Sequence, residues 1–413
     1  MILAELQKNF EAFGQDHVFK FWDELNELEK AEFLEVLASI DLKEVERIFK
    51  QIQEVKDYSS MSLDVAPVYP LSENVNDDSR AINHGKKLLQ EKKVACFVVA
   101  GGQGSRLGFE GPKGAFSVGL DSGKSLFALQ ADQIIEAAEE YDYEIPWYVM
   151  TSKVNHIETV NFFQDNDYFG LKKDQVFFFS QEMLPAVDHQ GKLILSGKNK
   201  LFLSPNGHGG SLLALKKSGA LEDMKKRGIE YISYYQVDNI LINIFDPKFI
   251  GFHVLENADM SFKMVKKRNA EEKVGVVAVN NGKMEVIEYS DLPDAEMHAV
   301  GENNNLKFWS GSIAIHMFSL RFIEEITEGE FSLPYHKAEK SIPEINDEGN
   351  VVSSDKKNGI KFETFVFDAI GFTSNVFLME VAREDEFAPV KNKAGEDSPE
   401  TAKEAFLKKG KIT

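Results

Sequence analysis

Between residues 94 and 237, short and continuously apolar runs alternate with amphipathic stretches, and no other feature of the sequence restricts its fold so closely. Val94–Val99, Trp147–Met150, Val176–Phe179 and Tyr231–Val237 read as strands, while Ser125–Tyr141, Ile157–Phe163 and Leu212–Gly219 read as helices. A strand that is apolar at every position has to be covered on both faces. Helices that cross over between parallel strands provide that cover. The expected fold class is α/β, a mostly parallel sheet with helices on both faces. Ligands on such sheets bind beyond the carboxyl ends of the strands. Between about 259 and 318 the apolar runs come closer together, and "VGVVAVNNGKMEVIEYS" holds an Asn-Gly pair at 281–282. That pair predicts a hairpin, which makes the sheet mixed.

The flanks differ in kind. Residues 1 to about 55 read as helices. In "HVFKFWDELNEL" the residues Val18, Phe21, Trp22, Leu25 and Leu28 recur at steps of three and four, an amphipathic face. Residues 56–80 lose periodicity and carry Pro67 and Pro70, as a surface connection would. From 355 onward, charged loops lead to one terminal helix around Glu400–Lys409. A chain of 413 residues exceeds what one core usually supports. The expected organisation is an N-terminal helical region and linker over 1–80, a central α/β domain over 81–350 and a C-terminal lobe over 351–413.

The first of these strands runs straight into "AGGQGSRLGFEGPKG", residues 100–114. Gly101, Gly102 and Gly104 let the backbone turn without Cβ clashes and approach a ligand closely. Consecutive N–H groups in such a turn form an anion-binding concavity. Arg106 adds a rigid fork of donors suited to phosphate, and Pro112 stiffens the approach to a second cation, Lys113. Without the two cations the turn would read as a plain structural loop. It is neither of the two commonest phosphate loops. A dinucleotide fingerprint begun at Gly102 and Gly104 needs glycine where Leu107 stands, and a Walker loop ending in Gly123-Lys124-Ser125 needs one where Val118 stands. A dinucleotide-dependent oxidoreductase is disfavoured on the same ground.

Composition closes off other classes. The formal net charge is −20 and the pI about 5.0, which argues against a nucleic-acid partner. The overall field also repels anions, so a phosphate site has to be assembled locally. Cys96 is the only cysteine, so no intrachain disulfide can form, and a reducing, cytoplasmic location is expected. No apolar run approaches the roughly 18 residues of a membrane span. "MILAELQKNFEAFGQ" has no cationic leader before an apolar stretch and does not read as a secretory signal. Nine histidines and one cysteine give no metal-ligand spacing, and 67 acidic residues are too many to single out a catalytic pair.

The glycine loop resembles the signature of the eukaryotic-type UDP-sugar pyrophosphorylases, above all those that act on N-acetylglucosamine 1-phosphate. Further stretches follow in that family's order: "PWYVMTS" (146–152), "FFFSQEMLPAV" (177–187), "PNGHGGSLLAL" (205–215), "VDNILINIFDPKFIGF" (237–252), "VGVVAVNNGKMEVIEYSDL" (274–292), "NGIKFETFVFD" (358–368) and "EVAREDEFAPVKN" (380–392). "GQDHVFKFWDEL" matches near the N-terminus, so the likeness spans nearly the whole chain. The resemblance implies a Rossmann-like, glycosyltransferase-A-like nucleotide-binding domain with flanking lobes. It also implies uridylyl transfer from UTP to a sugar 1-phosphate, with Mg²⁺ as cofactor. A monomer or weak homodimer is the expected state.

The resemblance also implies roles, residue by residue. Gly101, Gly102 and Gly104 would hold the nucleotide, Arg106 the departing pyrophosphate and Lys113 the phosphate chain. Lys391 and Lys361 match lysines that contact phosphate. Asp238 matches the aspartate that helps bind Mg²⁺, with Asn239 in support. Gln181 matches the residue that reads uracil, and Gly207 a glycine whose backbone meets the base. Glu288 and Tyr289 match sugar contacts. Two departures bear on the sugar. His208 stands in "GHGG" where the N-acetylglucosamine branch has asparagine, as in UDP-glucose pyrophosphorylases. Trp309 in "FWSGS" replaces another asparagine. The overall likeness makes N-acetylglucosamine 1-phosphate the expected substrate, and glucose 1-phosphate is the alternative that these departures leave open. A nucleotide-sugar binding protein without turnover is the rival from another class.

Overall fold

The computed structural model describes every residue except 1–2, 55–57, 59–60, 72–74, 302–303, 330 and 411–413, and of Val75 the backbone alone. The contacts group the chain into two units. The larger comprises Asp57–Gln181, Ser211–Ser332 and Val366–Thr413, and the smaller Met1–Lys56, Glu182–Gly210 and Leu333–Phe365.

Ten strands build the sheet of the larger unit. In chain order they are β1 (Leu63–Val65), β2 (Val94–Val99), β3 (Trp147–Ser152), β4 (Val176–Gln181), β5 (Tyr231–Gln236), β6 (Met260–Lys266), β7 (Val276–Asn280), β8 (Lys283–Ile287), β9 (Ser310–Ser319) and β10 (Val376–Glu380). Their spatial order is β1-β7-β9-β5-β2-β3-β4, with β6 and β8 branching from β9 and β7, and β10 beside β6. The central strands β5, β2, β3 and β4 are mutually parallel. β9 runs antiparallel to β5, β6 and β7 and makes the sheet mixed. Every residue of β3 and the first five of β2 are buried, as continuous apolar runs require.

Local chemistry sets the ends of these elements. The helix Leu126–Tyr141 begins where the Ser125 hydroxyl accepts the Ala128 N–H at 3.2 Å, and it ends at Asp142 with φ 50°. The Asn-Gly pair joins β7 to β8 with φ of 50° at Asn281 and 76° at Gly282, the positive values that a two-residue hairpin turn needs. The segment read as a connection over 56–80 contains β1 and the start of a helix, Val75–Gln90. Residues 56, 57, 59, 60 and 72–74 of it lie outside the described residues. That helix meets Pro247–Leu255 backbone to backbone. A Cβ on Gly85 would lie 1.9 Å from the Pro247 carbonyl oxygen, and one on Gly251 would lie 1.8 Å from that of Ala81.

In the smaller unit, the helices Leu3–Ala12, Glu27–Ala38 and Leu42–Gln51 cover the strands Leu195–Gly197 and Gly359–Thr364. Phe10, Phe33, Leu37 and Ile48 share one core with Leu195, Ile360 and Phe362. The amphipathic face expected over 17–28 is not one helix. It divides into two 3₁₀ turns, Asp16–Phe19 and Trp22–Glu24, before the next helix starts at Glu27. Asn26 forces the break. Its side chain accepts the N–H groups of Leu28 and Glu29 at 3.0 Å, and Glu29 accepts the Asn26 N–H at 2.9 Å, a capping box. Leu28 is left 68% exposed.

These units do not follow the consecutive segments 1–80, 81–350 and 351–413. Strand pairing explains the difference. Tyr335–Lys340 pairs with Gly359–Thr364 in the smaller unit, whereas β10 joins β6 in the larger.

Candidate active site

The glycine loop leaves β2 at the carboxyl edge of the parallel strands and folds back on itself. Gly104 N–H donates to the Gly111 carbonyl at 2.9 Å and Lys113 N–H to that of Gly102 at 3.0 Å. The amides of Gly101, Gly102 and Gln103 donate no hydrogen bond among the described residues. They form the kind of unsatisfied nest that anions occupy. Asn155, fully buried, holds the loop in place: its Nδ2 donates to the carbonyls of Ala100 and Gly102 at 2.9 and 3.2 Å. Gly101 is required by its neighbour, since a Cβ there would lie 2.4 Å from Gln181 Nε2. Gln181 is 5% exposed, and its Oε1 has no partner among the described residues. A buried amide with a free acceptor is suited to reading a planar, hydrogen-bonding base. The Arg106 guanidinium is exposed and makes no ion pair or hydrogen bond among the described residues.

Asp238 follows β5 on the same edge and is 8% exposed. Lys113 Nζ donates to its Oδ2 at 2.7 Å. Burial pushes the Asp238 carboxyl up, but the ammonium groups of Lys113 and Lys391 outweigh it and hold the group below the usual carboxylate range. Gln130 fixes this strand end by donating to the Val237 carbonyl at 3.0 Å. Asn239 works as a clamp. Its Nδ2 donates to the Glu386 carbonyl at 2.7 Å, and its Oδ1 accepts the Ala388 N–H at 3.0 Å. Val390 N–H donates to the Asp238 carbonyl at 2.9 Å. The segment that carries Lys391 is thus tied to the residues beside Asp238.

A cleft of about 140 Å³ opens here, bordered by Asp238, Asn239, Lys273, Glu288, Ser312 and Lys391 among others. Ala314 borders it with φ 57°, an uncommon value for a residue with a Cβ, where the pairing of β9 with β6 shifts register. Tyr289 is 38% exposed, and Trp309 packs by Lys266, whose Nζ lies 5.9 Å from the indole centroid; neither borders the cleft. The β9 residues that do are Ser312, three residues after Trp309, and the three that follow it, Ile313, Ala314 and Ile315.

The remaining expected residues belong to the smaller unit. Gly207 has φ 82°, and a Cβ there would lie 2.3 Å from the Thr364 carbonyl oxygen. The His208 ring stacks on Phe365 with centroids 5.3 Å apart. Lys361 Nζ lies 5.0 Å from the Phe202 ring centroid.

Sequence reasoning missed Asn155, Gln130, Ser312 and Lys273, none of which sits in a recognisable spacing. It missed Lys393 too, whose Cε and Nζ lie 3.7 Å from where a Gly108 Cβ would be. A larger hollow of about 550 Å³, bordered by Lys93, Lys225, His253 and Arg321, holds no expected site residue. Its cations are already paired, with Glu230, Glu324 and Asp259.

The chain is similar over most of its length to known uridylyltransferases and pyrophosphorylases. The family described as UTP–glucose-1-phosphate uridylyltransferase matches residues 42–396. The UDP-N-acetylhexosamine pyrophosphorylase-like protein 1 of Xenopus tropicalis is 40% identical over 421 residues, 97% of this chain and 82% of that protein. The UDP-N-acetylglucosamine pyrophosphorylase of Saccharomyces cerevisiae is 35% identical over 430 residues, covering 99% and 90%. The crystal structure of the Trypanosoma brucei uridine diphosphate N-acetylglucosamine pyrophosphorylase, in complex with an inhibitor, superposes with a TM-score of 0.82 at 29% identity, covering 97% of this chain and 83% of that one.

Proposed function

The chain belongs to the UTP–glucose-1-phosphate uridylyltransferase family, and on that premise we propose which sugar it takes and how its residues act. It is a nucleotidyltransferase that converts UTP and a sugar 1-phosphate to a UDP-sugar and pyrophosphate. A phosphate oxygen of the sugar attacks the α-phosphorus of UTP. The bond from that phosphorus to the bridging oxygen breaks, and pyrophosphate leaves with the electron pair. No protein nucleophile is needed. The protein has to bring two polyanions together and stabilise the charge on the phosphoryl oxygens.

The observation that carries the assignment of roles is the run of unused amides at Gly101, Gly102 and Gln103 on the edge that also holds the Lys113–Asp238 pair. In our reading those amides bind the nucleotide phosphates; Gly104, expected to join them, has its N–H taken by the Gly111 carbonyl at 2.9 Å and serves the turn instead. Gln181 pairs with uracil, and Arg106 neutralises the departing pyrophosphate. Lys113 and Lys391 flank the α-phosphate, and Glu288 meets the sugar. For Gly207, His208 and Lys361 the support is the motif match. A divalent cation suits the donor set: one buried carboxylate held ionised, with no histidine or cysteine cluster among the described residues. That pattern fits a hard ion which takes most of its ligands from substrate oxygens, as Mg²⁺ does, with Asp238 as its protein ligand. Such an ion, when bound, screens phosphate charge.

N-acetylglucosamine 1-phosphate is the sugar we favour, supported by the names of the relatives and by the motif order along the chain. Glucose 1-phosphate is the second reading, favoured by His208 and by the printed family description. A cytoplasmic location is supported by the single, buried Cys96, and among the described residues no helix is long and apolar enough to cross a membrane. The test is pyrophosphate release from UTP with a panel of sugar 1-phosphates in the presence of Mg²⁺. The expected result is turnover with the highest kcat/KM for N-acetylglucosamine 1-phosphate. A higher kcat/KM for glucose 1-phosphate would reverse the sugar assignment, and absence of turnover with every sugar would leave a binding protein.

A further inference from the structure

Lys273 stands at the head of β7, in "AEEKVGVV", and was not marked by any motif. It borders the same cleft as Asp238, Glu288, Ser312 and Lys391. Its side chain is exposed and makes no hydrogen bond or ion pair among the described residues. The backbone beneath it is fixed. Glu272 accepts the Arg268 N–H at 2.7 Å, and Arg383 Nη2 bridges both Glu272 oxygens at 2.9 and 3.0 Å. Arg383 also donates to the Lys266 carbonyl at 3.0 Å, and Val274 N–H to that of Glu272 at 2.9 Å. A lysine on anchored backbone with an unengaged ammonium beside a cleft differs from one on a loose surface loop.

The lining says which substrate the cleft serves. It includes Asp238 and Lys391 but neither the glycine loop nor Gln181, so it adjoins the expected nucleotide seat rather than forming it. The lining carries two acidic residues, Asp238 and Glu288, and two lysines, Lys273 and Lys391. Lys391 has a loose partner already, with Asp397 Oδ2 at 3.8 Å. A sugar 1-phosphate brings close to two negative charges into a protein whose net charge is −20. With the long-range field unfavourable, attraction has to come from cations at the cleft itself.

We propose that Lys273 is a substrate-binding residue whose ammonium engages the phosphate of the sugar 1-phosphate, while Lys391, on the same cleft, serves the α-phosphate. The proposal rests on the uridylyltransferase reading and adds to it a contact for the anionic end of the acceptor. The functional signature is selective: the acceptor is held less well without Lys273, while UTP, bound at the glycine loop, is not.

Steady-state kinetics with each substrate varied in turn decide this for wild type, Lys273→Met and Lys273→Arg. In Lys273→Met the KM for the sugar 1-phosphate is expected to rise at least about five-fold, since a charge-assisted contact is lost. The KM for UTP is expected to stay within about two-fold. Lys273→Arg, which keeps the charge, is expected to recover most of the loss. An unchanged sugar-phosphate KM in Lys273→Met, an equal rise for both substrates, or an arginine variant no better than methionine would each overturn the proposal. An inactive wild type would overturn the uridylyltransferase reading and this proposal with it, whereas an active wild type with an indifferent Lys273→Met overturns the proposal alone.

Discussion

Single side chains in this protein are selected by what their neighbours leave open. Gln181 occupies the space a Cβ on Gly101 would need, so Gly101→Ala should displace the amide rather than unfold the strand. The expected result is a KM for UTP at least about ten-fold higher with the melting temperature nearly unchanged, read by initial rates and by thermal denaturation. In their proposed roles Arg106 and Lys113 each make a charge-assisted contact to phosphate of about 1.5–3 kcal/mol, so Arg106→Ala and Lys113→Ala should each lower turnover at least about ten-fold. Near-normal pyrophosphate release in both would detach the loop from the chemistry. His253 shows the same principle away from the cleft. The Ser319 hydroxyl donates to the Ala258 carbonyl at 2.9 Å, so it accepts from His253 Nε2, and Nδ1 is left to accept from the Ser261 hydroxyl. The ring is therefore neutral. Burial, opposed only in part by Asp259, pushes its pKa down to about 3. The unfolded chain takes up this proton below about 6.5, and the folded one does not until about 3. Stability contributed by His253 is thus complete above about pH 6.5 and is lost as the pH falls, by up to about 1.4 kcal/mol per pH unit. Urea midpoints for His253→Gln should change less between pH 7 and pH 5 than those of the wild type; an identical slope would place the acid sensitivity elsewhere.

Elements were legible where periodicity and local signals coincided. β2 coincides with its expected run, and the β7–β8 hairpin was visible in two letters, Asn281 and Gly282. The helix at Val75–Gln90 was hidden because its contact depends on small residues rather than on a hydrophobic stripe. Gly85 and Gly251 let two helices touch backbone to backbone, a fact written across some 170 positions of sequence. Gly251→Ala has no space to enter and should cost at least about 2 kcal/mol, seen as a lower urea midpoint. The 3₁₀ turns at 16–24 were misread as a helix because a correct apolar spacing carries no warning of the Asn26 cap beyond them. Charged contacts were less visible still. Lys263, with no exposed side-chain surface, reaches Asp246 at 2.9 Å and Glu386 at 2.7 Å. Burial pushes its ammonium down, and the two carboxylates more than reverse that. The second Glu386 oxygen accepts the Asn243 N–H at 3.1 Å, so the triad secures the same segment that Asn239 clamps. Glu386→Ala leaves Lys263 paired with Asp246 alone and takes away the acceptor of the Asn243 N–H, and it should destabilise by about 1–3 kcal/mol. A melting temperature close to that of the wild type would show the triad to be dispensable.

For the whole molecule, the chain advertises chemistry more clearly than organisation. The glycine loop could be singled out from its own residues, whereas Lys391 and the metal role of Asp238 were marked by the family resemblance. The two units could not be singled out, because each is made of three separate stretches of the chain. Deleting residues 1–54 would uncover Val187, Leu193, Leu201, Ile360 and Phe362 together, and aggregation is the expected outcome, measured by light scattering at rising protein concentration. A monodisperse truncated protein would show that the strands of the smaller unit close without their helices. The discontinuity also has a temporal side. During synthesis the helices that carry Phe10 and Phe33 emerge long before Ile360 and Phe362, which complete the core around them. At ordinary elongation speeds the nascent segment waits on the order of tens of seconds with its oily side bare. Holding chaperones, and pauses in translation, therefore bear on this enzyme's yield through its first fifty residues, which carry none of its expected reactive groups.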